Sequence, residues 1–311
     1  MAEAVALSAY AVTVAWCLPA PLARLTGPGT GARLGIAAWL VALASVLAAA
    51  GLALEFLMRV LRASWPQLTQ AVCREMAGNA CTPLVYRSAL YSLGVAVATV
   101  VAALAAVVAA WRYGRRVQGA RRQTLAHGRA ARIVGRALPG TGAVLIEDPR
   151  PAAYCAAGTI VVTSGALGVL DGAQLAAVLA HERAHLAGRH HAITLIARGL
   201  AAAFPGVPLF GRAPGEVARL LEMSADDAAV RRTSRPVLVS ALVAIATGEP
   251  APGRGLAPRT GLAAAAYAVQ SRVERMLTPP GRTRALVYAA ALTAVTVVLA
   301  ALPMAILSLA P

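Results

Sequence analysis

Four stretches of the chain carry no charged side chain: residues 4–22, 34–54, 88–111 and 285–311. A helix needs about 20 predominantly apolar residues to cross a bilayer core, so each stretch reads as a transmembrane helix. The first is the least regular, because Pro19 and Pro21 interrupt its last turn. It also lacks the basic leader of a cleaved signal peptide, since Glu3 is its only flanking charge. Between the third and fourth stretches the pattern changes. Residues 112–137 read as a basic helix leaving the third span, and Gly140-Thr141-Gly142 breaks it. Residues 143–146, 152–156 and 159–163 then read as strands, with the turn Asp148-Pro149-Arg150-Pro151 between the first two. After a short helical turn over 165–170, Asp171 is placed to cap a helix over 173–191, in which Leu175, Val178, Leu179 and Leu186 recur at helical spacing. A further helix is expected around 220–229. The pattern divides the chain into a membrane region of three spans (1–111), a cytoplasmic α+β domain (112–284) and a fourth span (285–311).

Composition agrees with a membrane protein. Of 311 residues 59% are hydrophobic and 14% charged, against roughly 45–50% and 25% in an average soluble chain. That excludes a disordered or collagen-like polypeptide and a disulfide-dense secreted module. The net charge is +16, from 29 basic and 13 acidic residues. All the basic residues are arginine. Their placement reads as a sidedness signal: Arg24 and Arg33 follow the first span, eight arginines from Arg112 to Arg136 follow the third, and Arg282 and Arg284 precede the fourth. The expected topology in the plasma membrane has both termini outside, with residues 23–33 and 112–284 in the cytoplasm. Arg59, Arg62, Arg74 and Arg87, in an expected external loop over 55–87, run against this order and are outweighed. Cys73 and Cys81 fall in that loop, where an oxidising compartment permits a disulfide; Cys17 and Cys155 are expected free. No stacking aromatics or finger motif accompany the arginines, so the expected partners are the lipid bilayer and not nucleic acid.

The helix over 173–191 carries His181-Glu182-Arg183-Ala184-His185. Spacing of i, i+4 puts two imidazoles on one helical face, as two ligands of a tetrahedral zinc require. Glu182 is placed to take a proton from a water that zinc has acidified to a pKa near 7. A third ligand must come from elsewhere, and Glu222 and Asp226, again i, i+4, are candidates. One carboxylate can ligate the metal while the other hydrogen-bonds a ligating imidazole. His190 and His191 lie five and six residues beyond His185, off its face, and are expected in solvent; His127 is expected to be structural.

These residues, with the sequence Glu222-Met223-Ser224-Ala225-Asp226, resemble the integral-membrane gluzincin metallopeptidases, in which an HExxH motif supplies two ligands and a downstream glutamate the third. The three-plus-one span arrangement resembles, within that group, the beta-lactam-sensing signal-transducer peptidases. The resemblance implies a zincin-like peptidase domain holding one Zn2+ per chain. It makes His181, His185 and Glu222 the ligands, Glu182 the general base and Asp226 the partner of a ligating histidine. Tyr154, before the third strand, falls in the segment along which such enzymes align extended substrate, and Arg272 falls in an arginine-bearing helix, as a substrate or oxyanion contact. The transducers continue past the fourth span into an extracellular penicillin-binding domain, whereas this sequence stops at Pro311, so no beta-lactam sensing is expected. The expected activity is cleavage of a cytoplasmic or juxtamembrane protein or peptide, a transcriptional repressor in a signalling pathway being one target. Two alternatives stay open: a quality-control or prenyl-protease-like membrane metallopeptidase, and a non-catalytic signalling scaffold with a peptidase fold. Spans without internal ionisable residues disfavour a transporter.

Overall fold

The computed structural model describes residues 2–27, 31–76, 83–248, 263–278 and 281–308. Its membrane part begins with helices α1 (Ala2–Cys17) and α2 (Pro19–Thr26), followed by α3 (Ala32–Met76) and α4 (Pro83–Val134). A sheet follows: β1 (Arg136–Leu138), β2 (Ala143–Ile146), β3 (Ala153–Ala156) and β4 (Thr159–Thr163). Then come α5 (Ser164–Val169), α6 (Gly172–Ala187), α7 (His190–Ala203), α8 (Pro208–Val230), α9 (Arg235–Thr247), α10 (Ala263–Leu277) and α11 (Arg282–Ser308).

Among the described residues three helices are long and apolar enough to cross a membrane, within Ala32–Ala63, Leu90–Val134 and Arg282–Ser308. The first expected span is instead broken: α1 and α2 meet at 50° and make a fourth crossing only if the bent pair counts as one. Pro19 opens α2 and has no N–H to continue the ladder of α1. Val97, Val101, Leu104 and Val107 of α4 and Leu286, Val297 and Val298 of α11 are exposed. An apolar surface so extended is suited to lipid and not to water.

Two segments expected to lie outside regular spans are helical. Residues 55–76, expected as loop, continue α3, because the first charges end the apolar run without ending the helix: Glu55 and Arg59 pair across one turn at 2.6 Å. α4 runs unbroken past Trp111 into the basic helix expected there, and the Arg115 guanidinium lies 4.8 Å from the indole ring centre. Cys81 and the side chain of Cys73 lie outside the described residues, and with them the expected bridge. Cys17 and Cys155 are free thiols.

One core joins the membrane helices to the rest of the chain. Leu7, Trp39, Leu43 and Leu292 of α1, α3 and α11 pack with Leu209 and Leu220 of α8, all at most 2% exposed. Polar contacts reinforce it. Arg219 of α8 donates to the carbonyls of Thr26 and Gly27 at 3.0 and 3.1 Å, acceptors that a helix end leaves unpaired.

The sheet has the order β1-β2-β4-β3. β2 and β4 are parallel (Val144 opposite Val161), while β1 and β3 add antiparallel edges (Ala137 opposite Val144; Tyr154 opposite Val161). β1 occupies residues expected to end a helix. Gly135 stops α4 there, since a Cβ would strike Val144 and crowd the Leu145 carbonyl. The sheet packs on both faces: Leu179 of α6 meets Ala143, Ile160 and Val162, and Ala131 of α4 meets Ala156 and Val161. The β3–β4 hairpin turns through Ala157 and Gly158, both at positive φ (47° and 81°), the backbone a two-residue hairpin requires. That turn abuts Gly128 of α4, where a Cβ would overlap that of Ala157 and approach the Ala156 carbonyl at 3.2 Å. Gly128→Ala should therefore destabilise the chain by about 1–3 kcal/mol, read as a lowered Tm. Gly119→Ala on the same helix, with open space at its Cβ, should leave Tm unchanged or raise it.

Candidate metal centre

Helix α6 begins with a capping box: the Asp171 side chain accepts from the Gln174 N–H at 2.8 Å, and the Gln174 side chain accepts from the Asp171 N–H at 2.9 Å. Three turns later the helix is wedged between the sheet and α8, with His181 7% and Glu182 9% exposed. His181 Nε2 and His185 Nε2 are 3.0 Å apart. Glu222 arrives from α8, with Oε2 3.4 Å from His181 Nε2 and Oε1 3.5 Å from His185 Nε2. Donors at about 2.0–2.1 Å from a tetrahedral zinc stand roughly 3.3 Å from one another. Two nitrogens 3.0 Å apart and a carboxylate that turns one oxygen toward each, at 3.4 and 3.5 Å, therefore have the chemistry and the approximate spacing to hold that ion.

The remaining nitrogen of each imidazole is also occupied. His181 Nδ1 lies 3.1 Å from Oδ1 of Asp226, which is wholly buried one turn beyond Glu222. Arg272 of α10 holds the same carboxylate from the other side, donating Nε to Oδ2 at 2.8 Å and Nη2 to Oδ1 at 2.6 Å. Its Nη1 lies 3.2 Å from Glu222 Oε2. On α6, His185 Nδ1 meets His190 Nδ1 at 2.9 Å.

The position of His190 corrects the expectation that it faces solvent. The helix does not run to residue 191. It ends at Ala187, Gly188 caps it, and Arg189 takes a left-handed conformation (φ 49°). α7 then starts in a new direction with the His190 ring, 7% exposed, folded back on His185. A side chain at 188 would strike that ring. The expected helix over 173–191 passes through Gly188, so neither the stop there nor the return of the ring is among the sequence expectations, although glycine is a residue type common at helix ends. His191 does reach the surface, with its Nε2 3.1 Å from Thr124 Oγ1 on α4. Exposed His127 stays within its own helix, contacting the Gln123 carbonyl at 2.8 Å.

Cys155 is the second residue not singled out as part of the site. Strand alternation turns it toward α6, and its thiol donates to Glu182 Oε2 at 3.1 Å. Tyr154, next along, is 43% exposed. Tyr154, Cys155, Glu182, His181, His185, Glu222 and Arg272 all line one cavity of about 690 Å3.

Electrostatics follow from this packing. Burial alone would lower the His181 pKa, but hydrogen bonds to Asp226 and Glu222 outweigh it and raise the value to about 9. Burial lowers His185 to about 4, so its ring is neutral and able to ligate. For Glu222, His181 and Arg272 overcome the effect of burial and hold the carboxyl below its ordinary value. Burial pushes Glu182 up, strengthening it as a base, and pushes the Cys155 thiol far up, so that it remains a donor.

Residues 116–213 match the sequence profile of peptidase family M48. That family consists of zinc metallopeptidases, so the match supports a hydrolase of the protease class that acts on a protein or peptide. The matched segment covers about a third of the chain, from α4 into α8. It contains His181, Glu182 and His185 and ends before Glu222, Asp226 and Arg272, which geometry alone brings to the same centre. No curated protein and no solved structure matches the chain.

Asp226 is held at about 2 against an ordinary 3.8: burial would raise it, but Arg272 and His181 pull it down. Because the folded pKa is the lower one, this carboxylate contributes stability above pH 3.8, about 2 kcal/mol by linkage, and the contribution disappears as pH falls through about 2. Asp226→Asn should remove that part of the acid sensitivity. It should also cost about 3–5 kcal/mol at neutral pH by leaving Arg272 buried without its carboxylate, measured by thermal unfolding across pH.

Proposed function

We propose that the chain is a zinc-dependent membrane endopeptidase. The observation that carries this reading is the convergence of His181 Nε2, His185 Nε2 and Glu222 on one cavity wall beside a buried Glu182. The same cavity is lined by β3, an edge strand whose outer side has no strand partner among the described residues. An extended peptide can add to such an edge by main-chain hydrogen bonds, with Tyr154 against its side chains.

His181, His185 and Glu222 would hold the zinc, which supplies Lewis acidity to the scissile carbonyl and acidifies water to a pKa near 7. Glu182 takes the water's proton as the oxygen attacks the carbonyl carbon. It returns the proton to the amine nitrogen as the C–N bond breaks. Cys155 steadies the carboxylate through its S–H. Asp226 and His190 fix the tautomer and orientation of His181 and His185 through the nitrogens turned away from Glu222. Arg272, whose nitrogens face Asp226 and Glu222, acts as a positioning residue for both carboxylates and not as an oxyanion contact.

The arginine distribution supports a plasma-membrane topology with both termini outside and the site in the cytoplasm. We take residues 112–284 as the peptidase segment and residues 1–111 and 285–311 as its membrane frame, although α8 packs into both. The resemblance to beta-lactam-sensing transducers favours a cytoplasmic repressor in a signalling pathway as substrate. A quality-control or prenyl-protease-like membrane metallopeptidase is the second reading, and the family M48 match is compatible with it equally.

Purified protein should contain about one zinc per chain. Glu182→Gln should retain that zinc and lose cleavage by about 10²-fold or more; a protein fragment present with the wild type and absent with this variant, found by comparing cell proteomes, identifies the substrate. Protein without zinc after chelator-free purification would refute the centre, and undiminished cleavage by Glu182→Gln would remove it as the base. Topology reporters fused after Arg136 and after Pro311 should report inside and outside respectively, and the reverse result would place the substrate outside the cell.

A further inference from the structure

A second cavity, of about 630 Å3, lies on another side of α6, between the start of α3, the C-terminal half of α6, α7 and the end of α8. Its wall contains four arginines from three places in the chain: Arg33, Arg183, Arg231 and Arg232. All four residues are exposed, and among the described residues no carboxylate lines the cavity. Arg183 donates to the Thr141 carbonyl at 2.7 Å. Arg33, Arg231 and Arg232 have no carboxylate partner among the described residues. This contrasts with the arginines around the metal centre, where Arg272 faces Asp226 and Glu222, and Arg275 faces Asp227 at 2.7 Å.

Four guanidinium groups around one hollow repel each other, and an anion lodged between them removes that cost. The planar fork of guanidinium matches the oxygens of phosphate in particular. Two further features narrow the source. The floor of the cavity is apolar, with Ile36 and Leu221 buried there and Ile193 beside them. Arg33 and Ile36 also stand in the first turns of the apolar span Ala32–Ala63, which places the hollow where a hydrocarbon core gives way to headgroups. Basic pockets at that level between membrane helices suit lipid phosphates.

We propose that this cavity is a phosphate-binding site, filled by the headgroup of an anionic phospholipid whose glycerol and first acyl carbons lie on the apolar floor. The site shares His190 and Leu221 with the catalytic cavity, so its occupant is separated from the metal centre by about one side chain. Its existence does not depend on peptidase activity.

The test uses the full chain in nanodiscs of phosphatidylcholine containing phosphatidylglycerol, with retained lipid read by native mass spectrometry. A parallel titration uses inorganic phosphate in detergent, read by calorimetry. Wild type should retain phosphatidylglycerol in preference to phosphatidylcholine. Arg231→Gln/Arg232→Gln and, separately, Arg33→Gln should weaken that retention about tenfold or more, as expected for loss of charged hydrogen bonds. Arg121→Gln/Arg122→Gln, which removes the same charge from α4 outside the cavity, should retain lipid as wild type does. Unchanged circular dichroism and gel-filtration profiles confirm that each variant is folded. Binding of inorganic phosphate that the cavity variants lose, without lipid enrichment, keeps the phosphate site and overturns the lipid source. Equal loss in the cavity and control variants, or no binding of either probe, overturns the site.

Discussion

Asp226 has no exposed surface, and a buried carboxylate is tolerable only when its charge is met on the spot. Two partners meet it, Arg272 from α10 and His181 from α6. The requirement pins three helices to one point. It sets the roll of α6, so that the other nitrogen of His181 points at Glu222. It sets the position of α10, so that Arg272 spans both carboxylates of α8. The distances of 3.0–3.5 Å among the donor atoms follow from satisfying this one carboxylate. Every group in the cluster is charged or polar, so its stabilising value lies less in net energy than in admitting a single arrangement.

Helix α8 transmits that constraint to the membrane part. Its first half buries Leu209, Phe210, Ala213 and Val217 against the helices that carry the apolar runs, and its second half presents Glu222 and Asp226. Arg219, between the two halves, grips the end of α2. The centre is thus not joined to the apolar helices by a flexible linker; one helix packs in both. α4 does the same on the opposite side of the sheet, continuing from an apolar span to the hairpin that positions Cys155 and Tyr154. A substrate adding to β3 would therefore be held at a defined place relative to the bilayer.

The excess of positive charge divides in the same way. Acidic residues are few, and Glu222, Asp226 and Asp227 of α8 face Arg272 and Arg275 at the centre. Arg33, Arg183, Arg231 and Arg232 are left around a separate hollow at the base of α3. Charge that reads along the chain as sidedness becomes, in three dimensions, a local concentration with a definite shape.

Features governed by neighbours a few residues away were legible in the sequence. The strands at 143–146 and 159–163 and the capped start of α6 follow from alternation and from Asp171, and i, i+4 spacing alone puts His181 beside His185 and Glu222 beside Asp226. Uncharged runs marked the apolar helices, though not their true ends, because charge stops a span without stopping a helix. What depended on distant chain required the tertiary structure. That α8 is the helix facing α6, that Arg272 closes on Asp226 from 46 residues away, and that Cys155 touches the carboxylate of Glu182 are outcomes of packing, which no local pattern records. The turn at Gly188 and Arg189 shows the boundary between the two. The local pattern carries a helix through Gly188 to residue 191, and only the packing of α7 determined that the chain turns there and brings His190 back to rest on His185.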